Sequence, residues 1–139
     1  AGGQKGEGGG GCSDGNQVQW VGRGAGKNGI RSIIGWPDGA PSSKGEANKS
    51  YGAEVCLVEG GYDDAYQRAL QMRDENGYTF IHPFDDEDVI AGQGTIGLEL
   101  LDQLPDIDAV IVPVGGGGLL SGVAYAIKSL NPKVEVYGV

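Results

Sequence analysis

Residues 109–130 of the 139-residue chain, AVIVPVGGGGLLSGVAYAIKSL, decide its fold. An apolar run predicts a buried strand over 108–114, and apolar residues at helical spacing from Leu119 to Leu130 predict a helix after it. Because glycine has no Cβ atom, the four glycines between them let consecutive backbone N–H groups converge on an anion at the helix N-terminus. The segment therefore predicts a phosphate site made by Gly115, Gly116, Gly117 and Gly118.

Other readings of glycine-rich segments fit this chain less well. A flexible linker would not join so apolar a strand to so regular a helix. The four glycines match neither GxxxxGK[ST] nor GxGxxG in register, so the nucleotide fingerprints do not explain them. A literal GxGxxG lies at 24–29, after residues 18–21 that could form a strand. An apolar run at 30–36 follows it where a dinucleotide site needs a helix, so we interpret that match as fortuitous.

The remaining pattern alternates between strands and helices, which predicts an α/β class with parallel sheet and right-handed crossovers. Strands are expected around Ile33 and over 53–58, 78–82 and 134–139. Helices are expected over 42–51, after an N-cap at Asp63 with Gly77 as terminator, and over 95–104. The acidic run 85–88 between them is typical of a solvated connection, and the glycine-rich first eleven residues resemble low-complexity sequence.

Composition narrows the function classes. A formal net charge of −9 disfavours nucleic acid and anionic lipid as partners. No apolar run reaches the roughly 18 residues that span a bilayer, and we expect a cytoplasmic location. His82 is the single histidine, and with only Cys12 and Cys56 it completes neither a zinc set nor a serine triad. No metal is therefore expected.

Several segments together resemble a known family. They are the glycine turn, Ser13-Asp14-Gly15-Asn16-Gln17, GAPSSK at 39–44, SYGAEV at 50–55, YTFIHPFD at 78–85 and VIAGQGT at 89–95. The chain resembles the threonine dehydratases, the fold-type II pyridoxal-phosphate enzymes that include serine dehydratase and serine racemase. The resemblance covers about residues 12–139 and is most specific from Tyr51 onward.

The resemblance implies a tryptophan-synthase-β-like fold, a pyridoxal 5′-phosphate cofactor and β-elimination of ammonia from L-threonine or L-serine to give a 2-oxo acid. It implies that the four glycines bind the cofactor phosphate and that Asn16 bonds the 3-hydroxyl of the pyridine ring. Ser13, Asp14, Gly15 and Gln17 then occupy the substrate-carboxylate loop. Two of these depart from the family, which has Ser or Ala at the position of Asp14 and His at that of Gln17. A carboxylate at Asp14 would repel a substrate carboxylate.

The resemblance also implies which parts of the enzyme the chain carries. The Schiff-base lysine of the family lies farther upstream of the asparagine loop than residue 1, so we expect no catalytic residue in the chain. Lys5 lies too near Asn16, and Lys44 belongs to the surface-helix match. Residues 1–7 are expected to be a partly disordered start or a remnant of the large domain, 8–85 the small domain, and 86–139 the beginning of the large domain.

We therefore expect an internal fragment, inactive alone, of an enzyme that acts on a small amino acid and forms a homo-oligomer. Serine racemase or another amino-acid lyase of the same fold remains an alternative, because both cofactor loops are shared. An alternative of another class is a non-enzymatic anion-binding or interaction domain.

Overall fold

The computed structural model describes residues 8–12, 17–39 and 42–139, with the side chains of 42–45 left out. The chain divides into two compact units, Ala1–Pro83 and Phe84–Val139. Assignment of these units to the small and large domains of the family stays a prediction. No helix within the described ranges is long and apolar enough to cross a membrane.

The first unit is a parallel sheet with helices on both faces. Its strands are β1 (Gly9–Cys12), β2 (Ser32–Pro37), β3 (Glu54–Val58) and β4 (Thr79–Ile81), in the spatial order β3-β2-β1-β4. The connecting helices are α1 (Gln17–Asn28), α2 (Ser42–Ser50) and α3 (Tyr62–Asn76). The predicted α/β class with parallel sheet is confirmed. The strand order reverses at β1, and the crevice beside such a reversal is where open α/β sheets bind ligands.

Alternation along β2 distributes its side chains between the two helical layers. Ile34 and Trp36 are buried with Val18 of α1 in one apolar cluster. Gly35 points to the other face, where a Cβ atom would lie 2.9 Å from the backbone oxygen of Ala65 in α3. Glycine at this position therefore lets α3 lie directly on the sheet.

The glycine-rich beginning of the chain contains a strand that composition did not indicate. Gly9–Cys12 forms β1, which pairs with β2 on one side and β4 on the other. Neighbouring strands supply its hydrogen bonds, so the ladder forms although three of its four residues have no side chain. The low-complexity interpretation is wrong for Gly9, Gly10 and Gly11, while residues 1–7 lie outside the described part of the chain.

Three other sequence expectations need correction. The fourth helix, α4 (Glu87–Gln103), begins far earlier than residue 95 because the side chain of Asp86 caps it, so Glu87 and Asp88 of the acidic run are helical. The third helix, α3, begins at Tyr62 with Gly61 as N-cap in place of the expected Asp63, and Asp64 Oδ2 accepts from the backbone nitrogen of Gly61 at 2.9 Å. Residues 18–21 are part of α1 and form no strand, which removes the structural context of the GxGxxG match.

The second unit contains α4, β5 (Ala109–Val112), α5 (Gly118–Leu130) and β6 (Glu135–Gly138). The two strands are parallel, with Ala109 opposite Glu135. Its core consists of Val112, Val123, Ile127 and Val134. Glycines bring α4 and α5 into backbone contact: a Cβ atom on Gly122 would overlap the carbonyl oxygen of Ile90 and lie 2.7 Å from the backbone nitrogen of Gly94. The position of α5 is thus fixed by α4.

A pair of alanine substitutions tests this close approach. Gly122→Ala is expected to lower the free energy of unfolding by about 1–3 kcal/mol, because the added methyl has no space. Gly92→Ala, in α4 with nothing within 4 Å of the added carbon, is the control and should stabilise by about 0.5–1 kcal/mol through helix propensity. Urea unfolding followed by circular dichroism measures both. Equal effects of the two substitutions would contradict the packing described.

Candidate phosphate site

The turn between β5 and α5 has the backbone geometry that glycine allows. Gly117 is the N-cap of α5, with φ 92° and ψ −11°, in the left-handed region. The first helical bond follows at once, from the backbone nitrogen of Ser121 to the carbonyl oxygen of Gly117 at 2.9 Å. Residues with a Cβ atom adopt this conformation at a cost of about 1–2 kcal/mol. The chain therefore turns from strand to helix without strain only with glycine here.

The N-terminus of α5 is open to an external acceptor. The first-turn N–H groups of any helix have no acceptor inside that helix. Gly117 offers no side-chain cap, and the first turn of α5 carries no acidic residue. In α4, by contrast, Asp86 Oδ1 accepts from the backbone nitrogens of Asp88 at 2.9 Å and Val89 at 3.1 Å. The two helices of this unit thus begin in opposite ways, one neutralised by its own carboxylate and one left electropositive.

The glycine turn, residues 115–118, has one packed side and one open side. A Cβ atom on Gly116 would overlap the ring of Phe84. A Cβ atom on Gly118 would lie 2.9 Å from the carbonyl oxygen and 3.0 Å from the Cα atom of Phe84. Within the described part of the chain, the corresponding positions at Gly115 and Gly117 have nothing within 4 Å. Phe84 therefore lines one side of the turn, and the other side is accessible.

These features suit a phosphate group. Consecutive N–H groups of a strand-to-helix turn and the helix dipole both favour an anion, and the open glycines let its oxygens approach the main chain. Carboxylates, which would compete for the same N–H groups, are absent from the first turn of α5. The geometry accordingly fits the phosphate of the predicted cofactor.

The other predicted site residues are described only in part. Ser13, Asp14, Gly15 and Asn16 lie outside the described residues, as does Lys5. Gln17 is the first residue of α1, and its buried Oε1 atom has no hydrogen-bond partner among the described residues. This orphaned acceptor lies directly after the loop expected to hold the substrate. Lys44 lies in α2, in the stretch whose side chains are left out.

Sequence reasoning missed Phe84 as part of the site. The segment YTFIHPFD contributes only to the family resemblance, and neither charge nor spacing distinguishes this phenylalanine. The available signal was its position two residues before Asp86, the N-cap of α4, since Phe84 lies beside the turn that begins α5. His82 lies in the first unit, where its ring contacts those of Tyr66 and Phe80 at centroid distances of 6.1 and 6.3 Å.

A parallel α/β fold with a glycine turn before a helix N-terminus is typical of the α/β proteins that bind phosphate-bearing ligands. A family model described as pyridoxal-phosphate dependent enzyme matches residues 2–139. The chain therefore belongs to the pyridoxal-phosphate-dependent enzyme family, as its sequence resemblance implied.

Relatives and solved structures agree with this assignment. An L-threonine ammonia-lyase of Thermotoga maritima is 51% identical over 128 residues, which are 92% of this chain and 32% of that protein. The processed form of threonine deaminase isoform 2 from Solanum lycopersicum superposes with a TM-score of 0.84 at 40% identity, covering 94% of this chain and 38% of the other. Maize serine racemase gives a TM-score of 0.87 at 38% identity, covering 94% and 40%. The chain thus spans about a third of the length of the first of these relatives.

Proposed function

We propose that this chain is the phosphate-binding part of a pyridoxal-phosphate-dependent lyase that releases ammonia from L-threonine or L-serine. The observation that carries the proposal is the uncapped N-terminus of α5 behind four glycines. Identity of 51% to a protein named L-threonine ammonia-lyase supports the reaction class.

In this proposal the chain binds and orients, while the cofactor supplies the electron sink for the reacting carbon. The N–H groups of residues 115–118 hold the phosphate, and the dipole of α5 favours its negative charge. Asn16 bonds the ring hydroxyl and the loop from Ser13 to Gln17 holds the substrate carboxylate. The buried Oε1 atom of Gln17 is available to accept from a donor in that loop or on the substrate.

We propose that the described part of the chain supplies no general base at the glycine turn. Lys128, in α5, has its Nζ atom occupied by the carbonyl oxygens of Val134 at 2.6 Å and Pro132 at 3.2 Å. Those bonds hold the ammonium at the C-terminal end of α5, away from the turn at its beginning, where a proton would have to be moved. We therefore propose that the chain alone does not catalyse elimination.

Serine racemisation is the second candidate activity, favoured by the TM-score of 0.87 to maize serine racemase. Both activities need the same phosphate turn and differ in their product from L-serine. Elimination gives a 2-oxo acid and ammonia, whereas racemisation gives D-serine, so chiral chromatography separates them.

Binding of a cofactor analogue tests the phosphate site. Pyridoxine 5′-phosphate has no aldehyde, so it cannot react with surface lysines, and pyridoxine lacks the phosphate. The chain should bind the phosphorylated compound at least about tenfold more tightly, since one charge-assisted hydrogen bond contributes about 1.5–3 kcal/mol. Isothermal titration calorimetry measures both affinities.

Gly115→Ala is the matched variant for that titration. Its added carbon meets nothing within 4 Å, so folding should be unchanged while the methyl blocks the anion. We expect a loss of about tenfold in affinity for pyridoxine 5′-phosphate, equal to one hydrogen bond. Gly92→Ala serves as control. Equal binding of the two pyridoxine compounds by the wild-type chain would refute the site.

Chemical trapping tests the absence of a catalytic lysine. After incubation with pyridoxal phosphate and reduction with borohydride, we expect only substoichiometric labelling spread over several lysines. Peptide mapping by mass spectrometry measures it, with a denatured sample as control. A stoichiometric adduct at one lysine, abolished by denaturation, would show that the chain carries its own nucleophile.

A further inference from the structure

We propose that Phe84 is a positioning residue that holds the glycine turn in its phosphate-binding conformation. The inference rests on the proposed function and assigns a role to a residue that contacts the turn but carries no group able to bind the phosphate.

Phe84 contacts the main chain of the turn. Its ring occupies the space in which a side chain on Gly116 would lie, and its backbone oxygen and Cα atom lie against Gly118. Aromatic ring and peptide plane thus meet without intervening side-chain atoms. Phe84 leaves no space for a Cβ atom at Gly116 or Gly118, whereas Gly115 and Gly117 meet no described atom within 4 Å.

Phe84 is itself held by a rigid support. Asp86, two residues later, caps α4 with bonds of 2.9 and 3.1 Å and gives its carbonyl oxygen to the backbone nitrogen of Ile90 at 2.9 Å. Farther along, α4 touches α5 through Gly94 and Gly122. The turn continues directly into α5. It also contacts Phe84, which lies just before α4, and α4 in turn packs against α5. This closed arrangement leaves the turn little freedom to change its main-chain angles.

Removal of the ring has a specific consequence. With space beside Gly116, the four glycines can sample the many backbone conformations open to them, and their N–H groups no longer converge. Each binding event then has to order the turn, which lowers the affinity without removing any hydrogen-bond donor.

A purely structural role predicts something different. Phe84 is 37% exposed, so its ring contributes only part of its area to the core. If the ring served only for packing, its loss would lower stability and leave the affinity of the folded chain unchanged. Phosphate affinity is therefore the readout that separates the two roles.

The experiment compares three variants of the chain for pyridoxine 5′-phosphate by calorimetry. Phe84→Ala should weaken binding roughly tenfold, the lower end of what loss of a supporting residue costs at metal sites. Phe84→Tyr keeps the ring and should retain wild-type affinity. Phe80→Ala, at the chain's other phenylalanine in the first unit, should leave the affinity unchanged.

A second measurement tests the contact itself. Gly116→Ala should lower the midpoint of urea unfolding in the wild-type chain, because the methyl overlaps the ring. In the Phe84→Ala background the same substitution should lower it much less, since the methyl then occupies the vacated space.

The outcomes are distinct. Wild-type affinity in folded Phe84→Ala, or equal effects of Gly116→Ala in both backgrounds, would overturn the positioning role alone. Failure of the wild-type chain to prefer pyridoxine 5′-phosphate over pyridoxine would overturn the proposed function and this inference with it.

Discussion

The backbone N–H groups in the first turn of α5 have no acceptor within the helix. They form an electropositive site in a chain with a formal net charge of −9. A helix can satisfy such groups with a side chain, as Asp86 does for α4. At α5 the N-cap is Gly117, which has none. The remaining solutions are water or a ligand, and four glycines make the N–H groups accessible to an anion as large as phosphate.

Four consecutive glycines are conformationally flexible, so ordering them for binding costs entropy. A run of four glycines would be a poor binding site if nothing restricted it. The second unit restricts the turn through close packing: glycines bring the main chains of α4 and α5 together at Gly94 and Gly122, and Phe84, two residues before the N-cap of α4, lies against the turn. The glycines of the turn thus serve two purposes: Gly115 and Gly117 leave space for the ligand, and Gly116 and Gly118 allow close contact with Phe84.

Much of the fold could be predicted from the sequence. The strand, the glycine turn and the helix over 109–130 were predictable because an apolar strand, glycines and a 3.6-residue period coincide there. The class followed from alternation along the chain. Strand β1 was not predictable, because three glycines carry no hydrophobic pattern and their pairing depends on β2 and β4. The start of α4 was missed because an acidic run is as typical of a loop as of a first helical turn.

The sequence predicts the backbone N–H donors of the site but not the contact with Phe84 that supports them. Backbone N–H groups follow from glycine positions in the sequence, whereas the contact between Phe84 and Gly116 joins residues 32 positions apart and depends on how α4 lies on α5. The asparagine loop could be predicted only by resemblance, and residues 13–16 lie outside the described part of the chain.

The most direct test of the central claim is a titration of the ¹⁵N-labelled chain with pyridoxine 5′-phosphate, followed through its amide resonances. The account predicts that the largest shifts belong to residues 115–119 and that the amides at the start of α4, bonded to Asp86, move little. Shifts centred on another segment, or no shift at the glycine turn under saturating ligand, would contradict it.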